Sequence, residues 1–164
     1  MNAIIIYYSL DWNTKMISEV IWSELKAEME AIETAQQLDK PESFMQYVSW
    51  IRMILLNKLP EIKPLKSNLN EYGLIIIWTP IWAWKACAPV LSLLTKFPLK
   101  NRKMAIFCCH WSPSISKALY KMREELAWNE IIWETDFREP MKIDTEIQIE
   151  KAKAWAKWIL NNLT

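Results

Sequence analysis

Three short stretches hold most of the residues able to bind a ligand or to react. Ser9, Leu10, Asp11, Trp12, Asn13 and Thr14 separate the apolar run Ala3–Tyr8 from a segment of helical period. Hydroxyl and amide donors at Ser9, Asn13 and Thr14, joined to the free N–H groups and positive dipole end of a helix start, suit an anion, best a terminal phosphate. The same residues also read as a helix N-cap with no ligand, and spacing alone leaves both readings open. Asp11 is compatible with a phosphate only if its carboxylate points outward. The second stretch is Thr79, Pro80, Ile81, Trp82, Ala83 and Trp84, after the run Leu74–Ile77. The third is Cys109, His110, Trp111 and Ser112, after Met104–Cys108.

The remaining reactive side chains read as ordinary. His110 is the one histidine of the chain, and it reads as a loop-lining or solvated residue rather than a catalytic one. With no second His, Cys or carboxylate at ligand spacing, no metal site is expected. Cys87, Cys108 and Cys109 are odd in number and lack C-x-x-C spacing. They are expected to be packing and loop residues in a reducing cytosol.

Elements that could position these stretches follow from hydrophobic period. Ala3–Tyr8, Leu74–Ile77, Met104–Cys108 and Glu130–Thr135 read as strands, with a weaker one at Met29–Ile32. Thr14–Leu25 places Ile17, Val20, Ile21 and Leu25 on one helical face. Ser43–Leu56 is a helix presenting Phe44, Tyr47, Val48, Ile51 and Leu55, and Leu59–Tyr72 a connecting loop with Pro60 and Pro64. Pro89 suits the first turn of a helix carrying Val90, Leu93 and Leu94. Further helices lie at Ser116–Leu126 and Thr145–Leu163, the latter bearing Ile149, Ala152, Ala156 and Ile159. Strands alternating with helices predict one α/β domain over 1–164 with a parallel sheet. Ligands of such sheets bind beyond the carboxyl ends of the strands, where strand order reverses. The three stretches occupy those turns.

Composition narrows the partners. With 164 residues, 20 Lys+Arg against 19 Asp+Glu and a formal charge of +1, the chain has no polyanion-binding field, so neither nucleic acid nor a membrane is expected as a partner. No leader-like start or long uncharged apolar run is present, which predicts a cytoplasmic protein. One pair of counts is anomalous: Gly 1 and Trp 11, where average usage predicts about eleven glycines.

The motifs carry a resemblance. Tyr8-Ser9-Leu10-Asp11-Trp12-Asn13-Thr14-Lys15 is similar to the Y-Y-S-x-x-G-N-T-K start of bacterial flavodoxins. Ile77-Trp78-Thr79-Pro80-Ile81-Trp82-Ala83-Trp84 resembles their I-G-T-P-x-W-A-G, and Ala105-Ile106-Phe107-Cys108-Cys109-His110-Trp111-Ser112 their A-x-F-x-C/S-x-G-G loop. Glu139-Pro140-Met141-Lys142 and Lys151–Ala156 resemble the family's end. The resemblance implies a flavodoxin-like three-layer α/β/α sandwich with a five-stranded parallel sheet in order 2-1-3-4-5, binding one FMN. Ser9–Thr14 would hold the phosphate. Thr79–Trp84 would line the flavin ring and ribityl chain, with Trp82 stacked on the ring, and Cys109–Ser112 would border its other edge. It further implies an electron-transfer protein cycling FMN between oxidised, semiquinone and hydroquinone states. Such a protein docks to a reductase and an acceptor as a monomer or weak dimer. Alternatives are a NAD(P)H-dependent quinone reductase and a flavin-free domain. Few positive charges stand near the ring by sequence, His110 and Lys85 being nearest, which would disfavour the anionic reduced flavin.

Departures from the family pattern fall on one residue type. Trp12, Trp78, Trp84 and Trp111 stand where it has glycine, as do Trp128 and Trp133, with Trp50 and Trp22 as further candidates. Trp82 and Trp155 stand where the family accepts Trp. Drift would scatter glycine losses among small residues, so uniform replacement points to a coding origin: a gene that uses UGA for glycine, translated with UGA as Trp. UGG codons at positions 12, 78, 84 and 111 would refute it. Taken literally, the indoles carry a steric cost wherever the backbone is left-handed and obstruct the close approach that glycine permits.

Overall fold

Continuous apolar runs become the middle of the sheet, because central parallel strands are buried on both faces. The computed structural model describes residues 2–8, 12–35, 44–56, 58–82, 84–111 and 115–162. Strands are β1 (Ala3–Tyr7), β2 (Glu28–Ala31), β3 (Leu74–Trp82), β4 (Lys85–Ala86), β5 (Lys103–His110) and β6 (Glu130–Arg138). Helices are α1 (Trp12–Leu25), α2 (Phe44–Leu55), α3 (Ala88–Lys96), α4 (Ser116–Glu125) and α5 (Thr145–Asn162). The sheet order is β2-β1-β3-β5-β6, all parallel, with β4 antiparallel to β3. Counting parallel strands alone, this is the expected 2-1-3-4-5 order; the β4 hairpin is an addition.

Side chains alternate between two cores. Ile4, Ile6, Ile75, Ile77, Met104 and Ile106 join Ile54 of α2, Val90 and Leu93 of α3, and Met122 of α4. Ile5, Ile76, Trp78, Ala105, Phe107 and Phe137 join Ile17, Ile21 and Leu25 of α1 and Ala152, Trp155, Ala156 and Ile159 of α5. The result is three layers. Helix α2 lies close to the expected range, but its inward residue is Ile54, 1% exposed, whereas Leu55 is 65% exposed. In the segment expected to be a plain loop, Ile62 bridges Thr34 and a short 3-10 turn forms at Leu69–Glu71. Of the described helices, none is long and apolar enough to cross a membrane.

Strand ends set the geometry of the site. β3 and β5 both run further than the apolar runs that announced them, pairing up to Pro80↔Cys109. Thr79, Pro80, Ile81 and Trp82 are therefore strand residues, as are Cys109 and His110, where turns were expected. Parallel pairing with buried neighbours holds these polar and cyclic residues extended, overriding their turn preference.

Candidate functional site

Past Thr79, strand β3 folds back on itself. Ile81 pairs with Ala86 and Trp82 with Lys85 in a tight hairpin whose turn includes Trp84. Such turns need positive φ, and Trp84 has φ 59°. Among the described tryptophans it is the one with left-handed backbone, at a position where the family pattern has glycine. Its indole is 56% exposed, so little of the ring is covered in return. The hairpin is anchored below by Thr79, whose buried hydroxyl accepts from the Cys87 N–H at 3.0 Å and donates to the Pro80 carbonyl at 2.8 Å. Lys85 lines a cleft of about 190 Å³ with Leu91, Lys121 and Glu124.

Aromatic surface gathers beside the hairpin. Trp82 is nearly buried at 9% exposure and meets Tyr8 edge-to-face, centroids 6.2 Å apart. Burial raises the Tyr8 hydroxyl pKa, with Cys87 adding to the effect. Trp78 lies on the other face of the sheet, wholly buried between Tyr7 at 5.3 Å and Phe107 at 5.6 Å. Its Nε1 and that of Trp155 lack a hydrogen-bond partner, and a buried donor left unsatisfied costs about 1–3 kcal/mol. Trp111 and Trp128 are 64% and 73% exposed without left-handed backbone. The strain expected of the tryptophans as a group thus falls on Trp84.

The end of β5 corrects the reading of His110. The imidazole is 4% exposed, and its Nε2 lies 2.9 Å from Asp136 Oδ2. Lys151 of α5 donates to the Asp136 carbonyl at 2.6 Å and stands 3.7 Å from its Oδ1. The His110 hydrogen bond holds the Asp136 carboxyl below its ordinary range; partial burial opposes this and Lys151 reinforces it. Asp136 and Lys151 were missed because neither lies near His110 in sequence. The signal was register: β5 and β6 pair in parallel, with Cys108 opposite Asp136 and His110 opposite Arg138. The cysteines are free and buried. Burial pushes the Cys87 thiol up to about 12 and Cys108 well above its usual value, so neither is a poised nucleophile.

Helix α1 begins at Trp12, and its first turn carries no acidic residue. Of the expected phosphate stretch, Ser9, Leu10 and Asp11 lie outside the described residues, as do Ala83 and Ser112; Trp12, Asn13 and Thr14 supply the helix start. The carboxyl ends of β1, β3 and β5 are neighbours in the sheet, and β1 is flanked by β2 on one side and β3 on the other. This is the point where strand order reverses, with a helix N-terminus, an aromatic pair and a His–Asp pair at its rim.

No family model matches the chain, and no curated protein does. Among solved structures, a flavoprotein from Lactobacillus acidophilus in complex with FMN aligns at 23% identity over 88% of this chain and 97% of its own, with a TM-score of 0.71. The chain has the flavodoxin-like fold. A flavodoxin, WrbA-like protein from Agrobacterium tumefaciens aligns over 98% of this chain and 95% of its own at 11% identity and TM-score 0.65. A NADPH-quinone reductase from P. pentosaceus aligns over 96% and 97% at 9% identity and TM-score 0.58. The flavodoxin-like fold accounts for the helices on both faces and for the switch point between β1 and β3.

Proposed function

We propose that the chain is an FMN-binding redox protein that carries electrons between a reductase and an acceptor. One observation carries the reading. The carboxyl ends of β1, β3 and β5 are neighbours where strand order reverses, beside a helix start free of carboxylates in its first turn. The structural likeness to a flavoprotein in complex with FMN supports it.

The residues present suit the group. The N-terminus of α1 would receive the phosphate, since free N–H groups and the helix dipole favour an anion and no first-turn carboxylate opposes it. Trp82, nearly buried beside Tyr8, would present only its exposed edge to a flat heteroaromatic ring at the end of β3. The Thr79 hydroxyl holds the base of the hairpin through Cys87, keeping Trp82 in place without a ligand's help. Bound FMN would supply one- and two-electron chemistry that the side chains lack. The exposed indoles of Trp84 and Trp111 stand at the rim of this site, and Trp12 at the start of α1. Full binding is therefore expected of a chain with glycine there.

Electron transfer separates the carrier from the reductase. The FMN-loaded chain should accept electrons from a flavodoxin reductase and pass them to a one-electron acceptor, with no steady NAD(P)H–quinone turnover of its own. Sustained turnover with NAD(P)H and a quinone would replace the carrier with the enzyme.

A further inference from the structure

Strand β2 ends the sheet order on one side, and its two edges are used differently. The inner edge pairs with β1 from Ile4↔Glu28 to Tyr7↔Ala31, and the Ile32 N–H donates to the Tyr7 carbonyl at 2.7 Å. Backbone groups alternate sides along an extended chain, so those of Glu28, Glu30 and Ile32 face β1 and those of Met29, Ala31 and Glu33 face outward. Past the strand, the outward set meets residues 61–63 running antiparallel. The Lys63 N–H donates to the Glu33 carbonyl and the Ala35 N–H to the Glu61 carbonyl, both at 2.8 Å, around the bridge Thr34↔Ile62. Pro64 ends this ladder, because proline has no N–H to give it.

Beyond Pro64 the chain stands off from β2. Residues 63–67 form one wall of a cleft of about 330 Å³ whose other wall is Met29, Glu30, Ala31 and Glu33. One side chain spans the gap: the Glu30 carboxylate accepts from the Lys66 N–H at 2.6 Å and from the Ser67 N–H at 2.9 Å. Partial burial pushes the Glu30 carboxyl up, but the hydrogen bonds from Ser67 and Lys66 outweigh it and hold it below its usual value. These amides are thus satisfied without closing onto the strand. Among the described residues, none pairs with the outward N–H and C=O groups of Met29 and Ala31.

We propose that this cleft binds an extended, uncharged peptide segment, which adds to β2 as a further strand through the outward backbone of Met29 and Ala31. Donors and acceptors at strand spacing match another extended main chain. Charge is balanced within the walls, since Lys63 lies 2.8 Å from Glu33 and Glu30 is engaged by two amides beside Lys66, so no net field selects an ionic ligand. Residues 63–67 stand across the edge; a folded strand of a second copy meets that wall, whereas a linear segment enters. The edge from Met29 to Ala31 is about 7 Å long, which suits about three residues. Guest side chains alternate between the Met29 face, which packs on the core beneath α1, and the Leu65 face, which packs on the opposite core. Small apolar side chains fit both. Binding here needs no flavin, so its outcome is independent of FMN.

Backbone amide NMR of the full chain without flavin, titrated with an N-acetylated, C-amidated tripeptide of valine and alanine, reads the cleft directly. The Met29 and Ala31 amides should shift saturably, and at peptide about ten times its Kd they should exchange with solvent about tenfold more slowly. Added salt should leave the affinity unchanged. Ala31→Pro deletes one outward donor, which an edge strand tolerates where the N–H faces solvent; it should abolish binding while circular dichroism is retained. The same tripeptide N-methylated at every amide should fail to bind the unaltered chain, a control that requires no folded variant. Lys66→Ala should bind as the parent does. Unmoved Met29 and Ala31 amides at millimolar peptide would overturn the proposal. Binding that is lost with salt or in Lys66→Ala would make the site ionic and overturn it too. Shifts at these amides that follow protein concentration without peptide would give the edge to a second copy, with the same consequence.

Discussion

Glycine and alanine should rank oppositely at two of the tryptophans, and the ranking tests how the β3–β4 turn is built. Trp84 has φ 59° in the hairpin turn and an indole 56% exposed. Trp84→Ala and Trp84→Gly lose the same ring contacts, so their difference isolates the Cβ. A left-handed backbone costs a residue with a Cβ about 1–2 kcal/mol. Glycine gives back about 0.4–1 kcal/mol through the freedom of its unfolded chain. The balance favours glycine by about 0.5–1 kcal/mol, a Tm higher by roughly 1–4 °C at this chain length. At Trp128, 73% exposed and without left-handed φ, only the entropic part operates, so alanine should be the more stable by about 0.4–1 kcal/mol. Thermal and urea unfolding of the four variants reads both differences. Alanine equal to or better than glycine at 84 would refute the left-handed turn and remove the structural case for glycine there.

Other expectations concern the buried groups. Trp78→Ala removes a ring packed between Tyr7 and Phe107. It should cost about 3–5 kcal/mol of packing, partly offset by about 1–3 kcal/mol as the unpartnered Nε1 disappears; urea midpoints measure the remainder. Asp136 has a depressed carboxyl pKa, so its stabilisation is complete above the ordinary value of ~3.9 and is lost as pH falls below it. Urea titrations between about pH 5 and pH 2 should therefore show Asp136→Asn less stable than the parent at the upper end, with the gap closing toward the lower. The thiols of Cys87 and Cys108, buried and shifted upward, should resist a thiol reagent at pH 7 until the chain is unfolded; rapid labelling of either in the native state would contradict their burial.

Much of the architecture was legible in the sequence because it depends on hydrophobic period. Ile4–Ile6 and Leu74–Ile77 could be little but buried strands, and Pro89 marked the start of α3. The ends of β3 and β5 were not legible. Thr79-Pro80 and Cys109-His110 have turn chemistry locally, and only pairing with neighbouring strands keeps them extended. At the end of α2 the expected inward residue was Leu55, but Ile54 is the buried one; two adjacent aliphatic residues leave the fold to decide which turns inward. For the candidate site, the three strand-end stretches were visible as motifs, but the Asp136 partner of His110 was not. A contact across 26 residues exists only once β5 and β6 are in register. The excess of tryptophan over glycine was visible in the composition, whereas which described indole meets left-handed backbone, Trp84, is a property of the fold.

Equilibrium FMN binding decides whether this fold holds a flavin. The full chain with glycine at 12, 78, 84 and 111 (Trp→Gly at each) should quench FMN fluorescence saturably at one flavin per chain, and inorganic phosphate should compete. Absence of quenching at saturating FMN, in a chain whose circular dichroism shows it folded, would contradict the account and leave a flavodoxin-like fold without its flavin.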